Sequence, residues 1–572
     1  MEFKSLQVKN FRSFEDISIN LSNKNIFFGL NDVGKTNLLT ALRFVFDRDT
    51  RRNDFIDSDY FEKKTETPIE ILVTVDISDN NEDSFKLRAR LRGAILSGQD
   101  LIYIRLIAKY DNSEMVGVAD LFWGGEKENL QEIKSRGTRF DIDDIFNVFY
   151  IDSYVDMDVL FKRNIKKFIQ SDTADDKIIN ESINSIVEEL NEYISSLSGV
   201  SDFESKISPV YQKFNDENIS ISIKSEIAVK GLYSNIVPYM KKNGDDKVYP
   251  TAGEGRKKLV VYSLFTLLAE QEADKKINLF LIEEPENNLH KSLQIELSQI
   301  LFDNFESYSY LFVSTHSPYI LYEMNRVTLV RVFAERRVTS NSSFYEVPSD
   351  FQDNKKMLNR LLAEAVFASK VLLVEGPSEQ LLFDKILSVI KPYYEVAGMY
   401  ILPVNGIGFK KYQPILKKLG IHCVIKTDND IQWRENSGFH ALGFSRVNNL
   451  VNRTLDTEWT LNPFHDTKKE FINKSIEYRR QLYKFDQNYK VLNNIREQFH
   501  VYLSKVDLEN DLDEVLHENL VEYLNKENPV TYLQSAKNNH MVELVDKLTG
   551  EDCRKVYDDY NFACLKDLVE WN

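Results

Sequence analysis

The sequence predicts an α/β chain built from two chemically active units, and three observations predict it. A short apolar run, Ile26-Phe27-Phe28, ends in a glycine-bearing loop and is followed by an apolar helical segment. Two later apolar runs, Ile277–Ile282 and Tyr310–Thr315, end in an acidic cluster and in a histidine. Towards the other end of the chain, three more apolar strands each end in acidic residues. Buried strands that carry polar chemistry at their carboxyl ends are the pattern of a parallel sheet with its site at one edge.

The first element is the most informative. Gly29-Leu30-Asn31-Asp32-Val33-Gly34-Lys35-Thr36 is a phosphate-binding loop. Gly29 and Gly34 let the backbone turn its N–H groups towards phosphate oxygens. Lys35 is placed to reach the β- and γ-phosphates of ATP, and the Thr36 hydroxyl to bind Mg²⁺. A helix over about 35–46 follows, with the positive end of its dipole at the anion.

The second half of this site comes next. Glu283-Glu284-Pro285-Glu286 follows an apolar strand, where acids opposite a phosphate loop hold Mg²⁺ through water and position an attacking water. His316, in Ser314-Thr315-His316-Ser317, ends the neighbouring strand within reach of a γ-phosphate. Thr251-Ala252-Gly253-Glu254-Gly255-Arg256 opens a helix that is apolar through Leu268. In this order the pieces resemble the split ATPase head of the SMC, Rad50 and RecF group within the ABC class. The opening Val8-Lys9-Asn10-Phe11-Arg12-Ser13-Phe14 matches that group's first strand. The resemblance implies that Gly253 and Glu254 cap the ATP of a second subunit, and hence a homo-oligomer, a dimer or a tetramer.

Composition sets outer bounds. The 572 residues fit two to four domains, and 42% hydrophobic content supports ordinary cores. The net charge, 72 − 89 = −17, argues against indiscriminate coating of DNA, whose nonspecific affinity comes from phosphate neutralisation. A local basic groove remains compatible with it, and Lys410-Lys411, Lys417-Lys418 and Arg479-Arg480 are candidate parts. No apolar run approaches the roughly 18 residues of a membrane span. The three cysteines, Cys423, Cys553 and Cys564, lack metal-ligand spacing, and a cytoplasmic protein is expected.

The expected organisation is an ATPase lobe over 1–153, an insertion over 154–240, a second ATPase lobe over 241–348 and a further domain over 349–572. The insertion is expected to be mostly helical, from the spacing of Ile178, Ile179, Ile183, Ile186, Val187 and Leu190, and to serve dimerisation. A second helical insertion is expected near 434–500.

The last domain carries the second chemistry. Lys370–Val374 leads into Glu375-Gly376-Pro377-Ser378-Glu379, and Cys423–Thr427 leads into Asp428-Asn429-Asp430. A third acidic group contains Asp507, Glu509 and Asp511. Carboxylates gathered at one sheet edge repel unless divalent cations hold them, and Mg²⁺ or Mn²⁺ suits oxygen ligands. A pair of such ions activates water and stabilises the leaving oxygen in phosphodiester cleavage.

The Glu-Gly strand with the Asp-x-Asp strand resembles a Toprim domain. Joined to the upstream ATPase, it is similar to the overcoming-lysogenization-defect (OLD) nucleases, and to the Gabija anti-phage branch among them. That family has Glu-Glu-Pro-Glu where related heads have Asp-Glu, which accounts for Glu283. The expected fold is therefore an ABC/SMC-like ATPase head with a helical insertion, followed by a C-terminal Toprim domain. The resemblance implies that Glu375, Glu379, Asp428, Asp430, Asp507 and Glu509 bind two metals. It implies that Lys537 stabilises charge on the scissile phosphate, and it leaves Asp511 open between a ligand and a helix-start residue. It further implies an ATP-regulated endonuclease acting on double-stranded DNA beside a UvrD-like helicase, the second Gabija subunit. The alternatives are an ATP-switched, RecF/SMC-like DNA-repair scaffold and a Toprim topoisomerase or primase. No DNA-gate domain fits the former enzyme, and the cysteines supply no zinc-binding segment for the latter.

Overall fold

The structure is a computed structural model that describes residues 1–571 apart from 31, 92–94, 96–97, 137–138, 154–196, 214–218, 226–235, 243, 245–246, 251–252, 273–274, 303–307, 335, 407, 435–437 and 452–467. The chain forms two compact units, Met1–Asn359 and Arg360–Asn572, with the boundary inside the helix Lys355–Ala365.

Two six-stranded sheets build the first unit. One is antiparallel, in the order Phe14–Asn20, Glu2–Phe11, Ile69–Asp76, Leu101–Asp111, Val116–Gly124, Gln131–Glu132. In Leu101–Asp111 the buried Ile102, Ile104, Leu106 and Ala108 alternate with more exposed residues, as a half-buried strand requires. The other sheet runs Phe146–Ile151, Ile277–Glu283, Tyr310–Thr315, Lys24–Phe28, Val327–Ala334, Val338–Tyr345. Its first five strands are parallel and the last pair is antiparallel. Tyr310–Thr315 is buried along its whole length, which is why it reads as a continuous apolar run.

The helix Lys35–Phe46 shares one core with residues of both sheets through Leu38, Leu39, Leu42, Phe44 and Val45. It is apolar on most sides because it is covered on most sides. Each fully buried leucine contributes about 1.5–3 kcal/mol. That packing fixes the helix start, and hence Lys35 and Thr36, relative to the strand ends.

Within 154–240 the stretch whose spacing suggested helix lies outside the described residues. The remainder differs from a mostly helical segment. It holds the helix Ser198–Gln212 and the strands Ile219–Ser225 and Ile236–Lys242, which join Val248–Pro250 in an antiparallel sheet. The cause is legible in Ile219-Ser220-Ile221-Ser222-Ile223, where apolar and polar residues alternate with the period of a strand.

The second unit is organised on a four-stranded, fully parallel sheet in the order Met399–Pro403, Lys370–Val374, His422–Thr427, Val501–Leu503. The helices Pro377–Ile390, Leu508–Leu524, Lys537–Lys547, Gly550–Asp558 and Ala563–Glu570 contribute to its core. The described part of 434–500 includes the helices Leu442–Val451, Lys468–Asn473, Ser475–Lys484 and Asp486–Phe499. Among the described residues no helix is long and apolar enough to cross a membrane.

Candidate functional site

Each unit gathers its polar chemistry at the carboxyl edge of its parallel strands. In the first, the loop leaves Lys24–Phe28 and enters the helix at Lys35. Gly34 adopts φ 94°, and a Cβ there would meet the Ser13 hydroxyl. A Cβ at Gly29 would strike the Val332 carbonyl, so both positions require glycine. The Lys35 ammonium is buried and donates to the carbonyls of Gly29 (3.0 Å) and Leu30 (2.7 Å). Burial lowers its pKa, and the carboxylates of Glu284, Glu286 and Asp32 only partly offset this. Asp32 is exposed at φ 63°, and Asn31 lies outside the described residues.

The Thr36 hydroxyl donates to Glu283 Oε1, and Glu283 Oε2 accepts from the Tyr150 hydroxyl at 2.6 Å. A hydroxyl and a carboxylate therefore meet beside the phosphate loop, an oxygen set suited to a hard cation. Glu284 follows at φ 41°, its N–H donating to the Ser314 carbonyl and its Oε2 accepting from Asn287 Nδ2 at 3.0 Å. His316 Nδ1 stands 3.6 Å from Glu284 Oε1 and 3.3 Å from Glu286 Oε1. Glu286 is buried, and burial raises its pKa. Its Oε1 accepts from Thr315 Oγ1 and from the His316 N–H, which fixes the histidine's backbone. Gly253 is exposed, with no atom within 4 Å of an added Cβ, and Glu254 begins the helix Glu254–Glu272.

In the second unit, Glu375 follows Lys370–Val374, Asp428 and Asp430 follow His422–Thr427, and Asp507 and Glu509 follow Val501–Leu503. Glu379 joins them from the first turn of Pro377–Ile390. Glu375 Oε1 accepts from Thr427 Oγ1 (2.6 Å) and the Asp428 N–H (2.9 Å), which ties the first strand end to the second. Asp507 caps Leu508–Leu524 by accepting from the Asn510 N–H at 3.0 Å.

The carboxylates press on one another. Burial, then the charges of Glu375, Glu379, Asp507 and Asp430, push the Asp428 carboxyl well above the usual range. Burial, with Glu375 and Glu509 nearby, pushes Glu379 up to about 7. Burial also raises Glu509, whose Oε2 is buried and without a hydrogen-bond partner. An orphaned carboxylate oxygen among crowded acids is a donor set that divalent cations fit. Lys537, opening Lys537–Lys547, belongs to the same field. Burial alone would lower its pKa, and Glu509, Asp428, Glu379 and Asp507 raise it instead.

Asp511 does not face the cluster as a free ligand. It is buried with Lys426, whose Nζ donates to it at 3.2 Å, and it accepts the N–H groups of Lys505 and Val506. Of its two readings, the structure favours the one that satisfies backbone donors.

Three participants carry no motif signal. Arg446, from Leu442–Val451, pairs with Glu375 and reaches Asp430 Oδ2 at 2.7 Å. Arg479 donates to Asp507 Oδ2 at 3.2 Å, so one candidate of the basic groove is an ion-pair partner inside the site. Gln534 Nε2 donates to the same oxygen at 3.2 Å. Beside Glu375 lies a cleft of about 350 Å³ lined by Gly406, Gly408, Phe409, Lys410, Arg446 and Asn449 among others.

The mount of this edge is tight. Asn429 is fully buried and donates to the carbonyls of Arg479 and Lys505. A Cβ at Gly443 would lie 2.7 Å from Asn429 Cα and 2.8 Å from the Asp428 carbonyl. Helix Leu442–Val451 therefore touches the Asp-x-Asp turn backbone to backbone.

Known proteins resemble this chain in sequence and in fold. Residues 1–321 match the AAA ATPase domain family, and residues 366–430 match the overcoming lysogenization defect protein-like TOPRIM domain. Endonuclease GajA of Bacillus cereus is 42% identical over 582 residues, covering 100% of this chain and 99% of that protein. An OLD nuclease of Thermus scotoductus is 22% identical over 75% of this chain and 82% of its own length. The crystal structure of an SMC head bound to the C-winged helix domain of ScpA overlaps 60% of this chain and 98% of its own at 16% identity and a TM-score of 0.39.

Proposed function

This chain belongs to the family of Endonuclease GajA, OLD-type enzymes that join an AAA ATPase domain to a Toprim nuclease domain, and we propose that it is an ATP-regulated, metal-dependent DNA endonuclease of anti-phage defence. The observation that carries this reading is the convergence of Glu375, Glu379, Asp428, Asp430, Asp507 and Glu509, with Lys537 in their field. These six residues would hold two Mg²⁺ or Mn²⁺ ions. When bound, such ions activate water and stabilise the leaving oxygen.

The chain's own residues do the rest. Lys537 sets a positive charge where charge develops on the phosphate. Lys410 and Asn449, beside Glu375 in the cleft, receive flanking phosphates of double-stranded DNA. Thr427 and the Asp428 N–H hold Glu375 in place, and Gln534 and Asn510 hold Asp507. Arg446 pairs with Glu375 and Asp430 and offsets part of their charge.

In the ATPase unit, Lys35 would exchange the Gly29 and Leu30 carbonyls for phosphate oxygens. Thr36 and Glu283 would hold Mg²⁺, with Glu284 and His316 beside the γ-phosphate and Gly253 and Glu254 on that of a second subunit. A dimer or tetramer follows from that arrangement, and a UvrD-like helicase is the proposed partner.

A nicking assay on plasmid DNA, with metal and nucleotide titrated independently, tests the reading. Cleavage is expected only with Mg²⁺ or Mn²⁺, and its ATP dependence should differ between wild type and Lys35→Ala. DNA left intact with either ion and with the helicase present would refute the nuclease. Rates flat in ATP and equal in both proteins would refute the regulation alone. A monomeric mass at micromolar concentration would remove the shared ATP site.

A further inference from the structure

The opposite edge of the Toprim sheet carries a cluster that the nuclease does not use. His422 opens the strand His422–Thr427, and His500 immediately precedes Val501–Leu503. Both stand at the amino edge of the parallel sheet. Asp428 stands six positions beyond His422, about 20 Å at 3.3 Å per residue. Asp567, on the helix Ala563–Glu570, reaches both histidines. Its Oδ1 lies 3.2 Å from His422 Nε2, and its Oδ2 lies 2.8 Å from His500 Nδ1.

We propose that His422, His500 and Asp567 form a binding site for a borderline transition-metal ion, Zn²⁺ before others, which pins the helix Ala563–Glu570 to the sheet. Two imidazoles and one carboxylate are the donor set that such ions prefer, whereas Mg²⁺ and Mn²⁺ prefer the all-oxygen edge opposite. The three donor atoms lie within 4.8 Å of one another. With bonds of about 2.0–2.1 Å, a tetrahedral ion spaces its ligands by about 3.4 Å. The contacts of 2.8 and 3.2 Å are hydrogen bonds from the two rings to separate oxygens of Asp567, and an ion takes the place of those two protons as the rings move outward to that spacing.

The surroundings hold the ligands in place. The Tyr502 hydroxyl donates to Asp567 Oδ2 at 2.9 Å and orients the carboxylate. The Trp571 ring stacks on His422 at 3.9 Å and 9° and meets His500 edge-on at 4.9 Å, fixing both ring planes. Metal binding needs a lone pair on each ring nitrogen that faces Asp567. Each neutral ring supplies it by carrying its proton on the other nitrogen. The site is half-buried and rimmed by Trp571, and its place between the helix Ala563–Glu570 and the sheet, away from the carboxylate edge, is what suits it to hold the helix.

The full chain carrying Asp428→Asn and Glu375→Gln, which weakens the carboxylate edge, is stripped with chelator and titrated with Co²⁺ and Zn²⁺. One Co²⁺ per chain with a tetrahedral ligand-field spectrum is expected, together with a rise in Tm on adding Zn²⁺. Adding His500→Gln or Asp567→Asn should abolish both signals. Tyr502→Phe keeps every ligand and should weaken Zn²⁺ binding about 10–100-fold, which provides a reading if a ligand variant fails to fold. Absence of Co²⁺ binding, or stoichiometry and Tm shift unchanged by His500→Gln, would overturn the site and leave the cluster a hydrogen-bonded clasp.

Discussion

Two buried lysines distinguish the two units. Lys35 and Lys426 are both almost inaccessible, at 5% and 2% exposure. Lys35 is held by two backbone carbonyls, which are neutral and can be given up. Lys426 is held by the Asp511 carboxylate and the Asn561 carbonyl, and its carboxylate partner is as buried as the lysine. The first is a charge kept in reserve for an anion, and the second is a charge spent on the fold. The sheet edges differ in the same way. The ATPase edge is shaped by backbone that only glycine can form, which makes a cradle for anions. The Toprim edge is shaped by crowded carboxylates, which make a cradle for cations. Parallel strands deliver either sign of site, and the residues just past the strand ends decide which.

The largest expected effect breaks the cation cradle. Asp428→Asn should lower metal-dependent cleavage by more than the roughly 10–100-fold that loss of an outer-shell partner costs. Single-turnover nicking measures it, and near wild-type cleavage would mean that the acids are not the metal site. Next, Lys426→Met should destabilise the second unit by about 3–5 kcal/mol, because it strands Asp511 as an unpaired buried acid. Denaturant unfolding checks this, and Lys426→Met with Asp511→Leu should recover much of the loss.

The third prediction asks whether Lys35 is held in reserve as described. Lys35→Ala should weaken ATP binding about 10–100-fold, the worth of one charged hydrogen-bond set, while the fold is kept. Calorimetry with ATP and a thermal melt separate the two effects. The smallest effect concerns Arg446. Its guanidinium competes with a cation for Glu375 and Asp430, so Arg446→Gln should tighten Mn²⁺ binding by about two- to fivefold, the scale of a part-exposed ion pair. Weaker binding would instead make Arg446 a support that positions Glu375 and Asp430.

Local sequence reached some of this site and missed the rest for a physical reason. Lys35 and Thr36 were legible from the glycine-bearing loop that leads from a strand into their helix, and Glu283 because it ends its strand; the hydrogen bond from Thr36 to Glu283 brings the separated halves together. Glu375 and Asp428 were legible in the same way. Arg446, Arg479 and Gln534 were not, because they come from helices whose docking no spacing encodes. Arg479 reads in the sequence as half of a basic-groove pair, and in the structure it donates to Asp507 at 3.2 Å. Tyr150 ends up on Glu283 because Phe146–Ile151 pairs with Ile277–Glu283, a long-range pairing with no local signature. The strand Ile219–Ser225 was masked by an isoleucine-rich context, although its own period is two.

The contact at Gly443 has a consequence for how this enzyme tolerates change. Residue 443 carries no chemistry, yet any larger side chain would wedge the Asp-x-Asp turn away from its neighbours. A library of variants scored by DNA cleavage would therefore group Gly443 with the acids of that edge. Unfolding assays would group it with the core, at a cost of about 1–3 kcal/mol. Such a residue is a blind spot for active-site maps drawn from side-chain chemistry alone, because its contribution is the volume it leaves empty.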